Sequence, residues 1–138
     1  MKNKFSKHWK ASKQPRKQRK YLANLPLHLK KKLMSVNLSK DLRKKYGKRN
    51  LTLKKGDTVK VMRGKFKGKR GKVTEVKLKT SKAIVEGMQV KKQDGSKADV
   101  KLRPSNLQII ELNLEDKKRL KTTEKAHSDK KENKENAS

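Results

Sequence analysis

The sequence predicts a mainly β fold. A small antiparallel barrel of about five strands follows a basic arm and short helices, and precedes a C-terminal helix with a disordered tail. Three observations lead there. Apolar residues make up only 30% of the 138 residues, against about 45–50% (glycine included) in ordinary globular domains, so burial of apolar surface cannot order the whole chain. From Leu51 onward the hydrophobic period is two rather than 3.6. Gly, Asp and Pro turn signals divide that stretch into short runs.

Residues 1–24 are basic and poor in aliphatics, and no helical or strand period is visible in Lys7 to Lys20, K-H-W-K-A-S-K-Q-P-R-K-Q-R-K. An extended arm, disordered until bound, is expected. Residues 25–50 predict two short helices. Pro26 suits a first helical position, and Leu29, Leu33 and Met34 follow at helical spacing. Ser39 then resembles an N-cap, with Asp41 in the first turn and Gly47 as the stop. Both pieces are shorter than the ~12–15 residues that an isolated helix needs, so they must dock on a neighbour.

The barrel is expected over residues 51–112. Thr58-Val59-Lys60-Val61-Met62 alternates as a half-buried strand. A second strand runs from Lys72 to about Leu78, with a bulge near Thr74-Glu75 because Val73 and Val76 fall out of alternation. Lys82 to Glu86 forms a third, and Asp94-Gly95 signals a hairpin turn before a fourth containing Val100 and Leu102. Arg103-Pro104-Ser105-Asn106 breaks the chain ahead of a fifth, Leu107 to Ile110. The predicted core is thin: Val59, Val61, Val73, Val76, Val85, Val100, Leu102, Leu107 and Ile109, with some of Met62, Ala83 and Ile84. Asn113 could cap a helix over 113–127, with Glu115 and Asp116 in its first turn. Residues 128–138 are polar and expected to be disordered.

Charge bounds the function. The formal charge is +30. Residues 1–50 carry 18 Lys and Arg against Asp41 alone, and residues 51–110 carry 17 against five acids, whereas residues 111–138 are nearly neutral. A chain so basic needs a polyanion, and nucleic acid is the first candidate. With no cysteine, disulfides, thiolate zinc sites and catalytic cysteines are excluded. His8, His28 and His127 make no ligand pattern, and no metal or cofactor is expected. No apolar run approaches a membrane span, and no apolar segment follows Met1-Lys2-Asn3-Lys4-Phe5, so neither a membrane partner nor a secretory signal is expected. The acids are few and scattered, and Asp57 reads as a turn residue. No carboxylate pair, nucleophile–base pair or Walker spacing offers catalysis, so no enzyme and no small-molecule substrate is expected.

The most specific segment runs from Lys54 to Val76. Gly64, Gly68 and Gly71 allow positive φ and close backbone approach. Lys65, Lys67, Lys69 and Arg70 lie between them, with Arg63 and Lys72 at the rims. Free backbone N–H groups and clustered cations would suit a phosphate backbone. Phe66, at the tip between lysines, is expected to contact RNA rather than the core, and Trp9 either to stack on an unpaired base or to make a hydrophobic contact with a neighbouring protein or the barrel. Tyr21 and Tyr46 read as packing residues, and His28 as a packed or solvated histidine.

This segment resembles the KOW motif of ribosomal proteins and transcription elongation factors, through Lys67-Gly68, Gly71-Lys72-Val73 and Val85-Glu86-Gly87. The flanks, Leu38 to Tyr46 before it and Pro104-Ser105-Asn106-Leu107 with Leu112 to Arg119 after it, are similar to the archaeal and eukaryotic form of universal large-subunit ribosomal protein number 24, number 26 in eukaryotic numbering. The resemblance implies an SH3-like barrel, binding to the 5′ region of large-subunit rRNA early in assembly, a place near the polypeptide exit tunnel beside neighbouring ribosomal proteins, and a cytoplasmic, non-homo-oligomeric life. The residues expected at the RNA are Lys7, His8, Trp9, Lys10, Lys13, Arg16, Lys17, Arg19, Lys20, Arg43, Lys44, Arg63, Lys65, Phe66, Lys67, Gly68, Lys69, Arg70 and Lys72. A KOW-type elongation module that binds RNA polymerase is the alternative; it predicts a further globular domain and a moderate charge, and this sequence has neither.

Overall fold

The computed structural model describes residues 5, 6, 8, 12–116 and 119. Three short helices, α1 (Pro15–Asn24), α2 (Leu27–Leu33) and α3 (Lys40–Tyr46), precede or interleave with two strands, β1 (Ser35–Leu38) and β2 (Asn50–Thr52). Five more strands follow: β3 (Thr58–Val61), β4 (Arg70–Lys77), β5 (Lys82–Lys91), β6 (Lys97–Leu102) and β7 (Leu107–Glu111), with a 3-10 turn at Pro104–Asn106 before β7. They form one seven-stranded sheet in the order β2-β1-β7-β3-β4-β5-β6. The run from β7 to β6 is antiparallel throughout, the SH3-like arrangement of the five expected strands.

The local chemistry explains the elements. Ser39 caps α3 through its hydroxyl, which accepts from the Leu42 N–H, and Gly47 ends the helix at φ 60° with its N–H on the Arg43 carbonyl. The bulge in β4 falls between Val73 and Glu75. A larger irregularity in β5, between Ile84 and Gln89, contains Gly87 at φ +75° and turns Met88 into the core. The β5–β6 hairpin closes at Asp94-Gly95. There the Ser96 hydroxyl and N–H donate to Asp94 Oδ1 at 2.7 and 2.9 Å and hold that carboxyl below its usual value.

Four expectations are corrected. Residues 15–24, predicted extended, are helical: Pro15 supplies the preset φ of the first turn, and Leu22 and Leu25 lie toward the body of the fold, Leu25 buried and Leu22 lining a cavity. Two strands appear where only helices were expected, because β1 and β2 pair antiparallel with each other and β1 also runs parallel to β7. A four-residue strand such as Ser35–Leu38 leaves too few residues for a period to show. Met62 is exposed, whereas Met34, Val36, Leu38, Leu53, Phe66 and Met88 join the expected core. Finally, residues 113–116 are not helical. An Asx turn, with Asn113 Oδ1 accepting from the Glu115 N–H at 3.0 Å, stands where a helix start was expected. Arg119, further along the expected helix, is helical, with its N–H on the Asp116 carbonyl at 3.0 Å; the rest of that helix and the tail expected to be disordered lie outside the described residues.

Candidate nucleic-acid interface

The β3–β4 loop begins where β3 ends. Gly64 and Gly68 have φ of +89° and +88°, and a Cβ at either would meet nothing within 4 Å, so backbone conformation alone requires glycine there. Gly71 has no positive φ and lies inside β4; a Cβ on it would stand 2.5 Å from the Glu86 carbonyl oxygen of β5, so it permits strand approach instead.

The loop folds back on itself. Val61 N–H donates to Lys69, Gly68 N–H to Val61, Lys67 N–H to Gly64 and Lys69 N–H to Phe66 carbonyls, at 2.8–3.1 Å. Met62 N–H reaches the Asn106 carbonyl at 2.7 Å, tying the loop to the 3-10 turn. The N–H groups of Lys67, Gly68 and Lys69 are therefore consumed internally, and the exposed side-chain cations carry the charge that the loop presents. Phe66 also differs from expectation. It is 9% exposed and packs in the core, with Lys69 Nζ 5.5 Å from its ring centroid. The chain reverses tightly enough at Gly64 and Gly68 to drop the ring into the barrel end, leaving Lys65, Lys67 and Lys69 outside.

Arg63, Lys65, Lys67, Lys69, Arg70 and Lys72 are all exposed. Strand register extends the patch. Arg70 lies opposite Lys60 of β3, and Lys72 opposite Thr58, on the face away from the buried Val59, Val61 and Val73. Like charges directly across a strand pair repel, and among the described residues no carboxylate pairs with Lys60 or Arg70. Lys60 was missed in the sequence reading, although the alternation Thr58-Val59-Lys60-Val61 already placed it on the outer face.

The other expected residues lie elsewhere. Arg16, Lys17, Arg19 and Lys20 are exposed along α1, and His8 and Lys13 are exposed before it, while Lys7, Trp9 and Lys10 are outside the described residues. Tyr21 of α1 packs on Phe5, ring centroids 5.2 Å apart. Leu22 and Ala23 sit beside the turn at Leu78–Ser81 that joins β4 to β5, whereas the glycine loop enters β4 at its other end. Seven residue steps along β4 separate the two ends by roughly 23 Å. The fold thus divides the expected residues into two basic regions. Lys44 is exposed on α3, but Arg43 donates through Nε to the Leu38 carbonyl at 2.9 Å, which ties α3 to β1.

Asp57 carries more than a turn. Its Oδ2 accepts from the Lys54 N–H at 2.8 Å, as a turn residue would, but the carboxylate is fully buried and takes Arg119 in a two-pronged pair, Nη1 at 2.6 Å and Nη2 at 2.7 Å. Arg119 also donates to the Asn113 and Thr52 carbonyls at 3.0 Å, and the Asn113 N–H reaches Asp57 Oδ1 at 3.0 Å. This network fastens the segment after β7 across the start of the barrel. No spacing rule joins residues 62 apart, so the sequence held no signal for it.

A family model that describes eukaryotic ribosomal proteins L26 and their archaeal counterparts, numbered 24 in the archaeal series, matches residues 12–126. The chain belongs to that family. A structural role in the large ribosomal subunit, and RNA binding in translation, come with that membership. Within this ribosomal frame the exposed cations of the glycine loop and of α1 are RNA-facing candidates, and the Asp57–Arg119 pair is part of the scaffold at the start of β3. Among the described residues, no helix is long and apolar enough to cross a membrane.

Proposed function

We propose that the chain binds the 5′ region of large-subunit rRNA through two phosphate-binding regions: the glycine loop with the outer face of β3 and β4, and the cationic side of α1. The observation that carries this reading is the cross-strand pair Lys60–Arg70 beside the exposed Lys65, Lys67 and Lys69, a cluster with no carboxylate partner among the described residues. Such a cluster is relieved by a polyanion. Recognition works by backbone and shape, because the deep groove of A-form RNA does not admit side chains. The chain acts without catalysis, as a cytoplasmic ribosomal component that joins early in assembly near the tunnel exit, next to other large-subunit proteins.

The test replaces Lys65, Lys67, Lys69 and Arg70 together with Gln and keeps Gly64, Gly68 and Gly71. Filter binding to a 5′ rRNA fragment at several salt concentrations should give weaker affinity. The slope of log affinity against log salt should be shallower by roughly 3–4 units, at ~0.9 per phosphate contact in the duplex-DNA limit. Wild-type affinity and slope in a folded quadruple variant would remove the loop from the interface.

A further inference from the structure

Between α1, α2, the β4–β5 turn and the 3-10 turn lies a cavity of about 470 Å³, within the size range of small-ligand sites. Lys30 of α2 lines it and is only 9% exposed. Lysine is almost never so buried unless paired. Yet no carboxylate of the described residues lies within ion-pair distance of its ammonium, whose one acceptor among them is the Lys79 carbonyl oxygen, at 3.4 Å. An ammonium carries three donors. A buried cation so poorly partnered costs free energy until an anion arrives.

Three further features converge on the same cavity. Arg103 stands exposed in its lining. Ser81 lines it at φ +51°, a left-handed conformation uncommon for a residue with a side chain and concentrated at functional sites. One wall is apolar, where Leu22 and Leu33 remain 46% and 45% exposed beside Pro104. A bare inorganic anion would satisfy Lys30 and leave that wall wet. A nucleotide satisfies both.

We propose that this cavity receives one unpaired rRNA nucleotide, its phosphate on Lys30 and its base between the Leu22–Leu33 wall and the Arg103 guanidinium. Splayed-out bases in single-stranded RNA are recognised on such surfaces, guanidinium planes included. The inference rests on the rRNA-binding reading above, but it adds a site roughly 23 Å from the glycine loop, by strand rise, and a ligand that is a single nucleotide rather than a helix backbone.

The test uses the full chain and the 5′ rRNA fragment, with filter binding and per-nucleotide 2′-hydroxyl acylation. Lys30→Met keeps the apolar stem and removes the charge. It should weaken binding about tenfold, the scale of one lost charge-assisted hydrogen bond, and flatten the salt slope by about one unit. One isolated nucleotide, protected by wild type, should become reactive while the rest of the footprint persists. Arg103→Gln alters an exposed side chain and should expose the same nucleotide, so the proposal stays testable even where Lys30→Met fails to fold. A footprint unchanged in either folded variant overturns the nucleotide site and leaves the cavity to a protein segment or to solvent. Failure of wild type to bind the fragment at all is a different result, and sinks the rRNA reading itself.

Discussion

At Asp57 a single carboxylate holds two parts of the chain together. It is fully buried, and its charge is met by Arg119 and by two backbone N–H groups. Removing one member of a buried pair leaves the other uncompensated, at a cost of about 3–5 kcal/mol. Asp57→Asn should therefore lower the unfolding free energy by about 3 kcal/mol, read from urea denaturation midpoints. Combining it with Arg119→Met should cost less than the sum of the single changes, because neither charge then remains buried alone. An additive double variant would show that the two groups do not act as a pair. Phe66 makes the complementary case. As a core residue, Phe66→Ala should cost about 3 kcal/mol or more. Phe66→Leu should keep most of the stability and nearly all of the RNA affinity. A large loss of affinity in a stable Phe66→Leu protein would instead return the ring to the RNA. These two residues also mark where sequence reading stops. Asp57 looks like a turn former because its local bond to Lys54 is one; the partner 62 residues away leaves no trace in spacing. Phe66 looks solvent-facing because its sequence neighbours are lysines, and only the reversal at Gly64 and Gly68 separates its direction from theirs.

Elements whose signal is local were legible. The cap at Ser39, the stop at Gly47, the Asp94-Gly95 hairpin and the bulge after Val73 each follow from a few adjacent residues. β1 and β2 were not legible, because both are too short to show a period, β2 pairs only with β1 across α3, and β1 is held on its other side by β7, some 70 residues on. α1 was hidden for another reason. Its sequence holds four cations and no acid, so like charges three and four apart oppose the helix, and the fold anchors its end through the buried Leu25, which the period did not reveal. The glycine loop carries a prediction at this scale. Gly68→Val meets open space but must hold φ near +88°, which strains a β-branched residue by roughly 1–3 kcal/mol. Gly71→Ala meets the Glu86 carbonyl oxygen at 2.5 Å and pushes β4 from β5. Both should lower the melting temperature, read by circular dichroism. The RNA salt slope should stay near wild type in each, because no cation is lost. A slope change as large as that of the quadruple charge variant would mean that the glycines act by presenting N–H groups to phosphate.

Over the whole molecule, charge and geometry set one constraint. The +30 chain presents its loop cations at one end of β4 and its α1 cations near the other, roughly 23 Å apart by strand rise. Perturbations more than about 7–10 Å apart with no shared partner add. Deleting residues 1–24 removes nine Lys and Arg and no acid, while the buried Leu25 and the sheet remain. The shortened chain should fold, with a melting temperature within a few degrees of wild type. Its affinity for the rRNA fragment should fall most at low salt, where each phosphate contact is worth most. Combining the deletion with the quadruple loop variant should give a salt slope lowered by the sum of the two separate decreases. A combined slope no lower than that of the deletion alone would mean that the loop contacts RNA only when the N-terminal region is in place, making the two regions one cooperative interface.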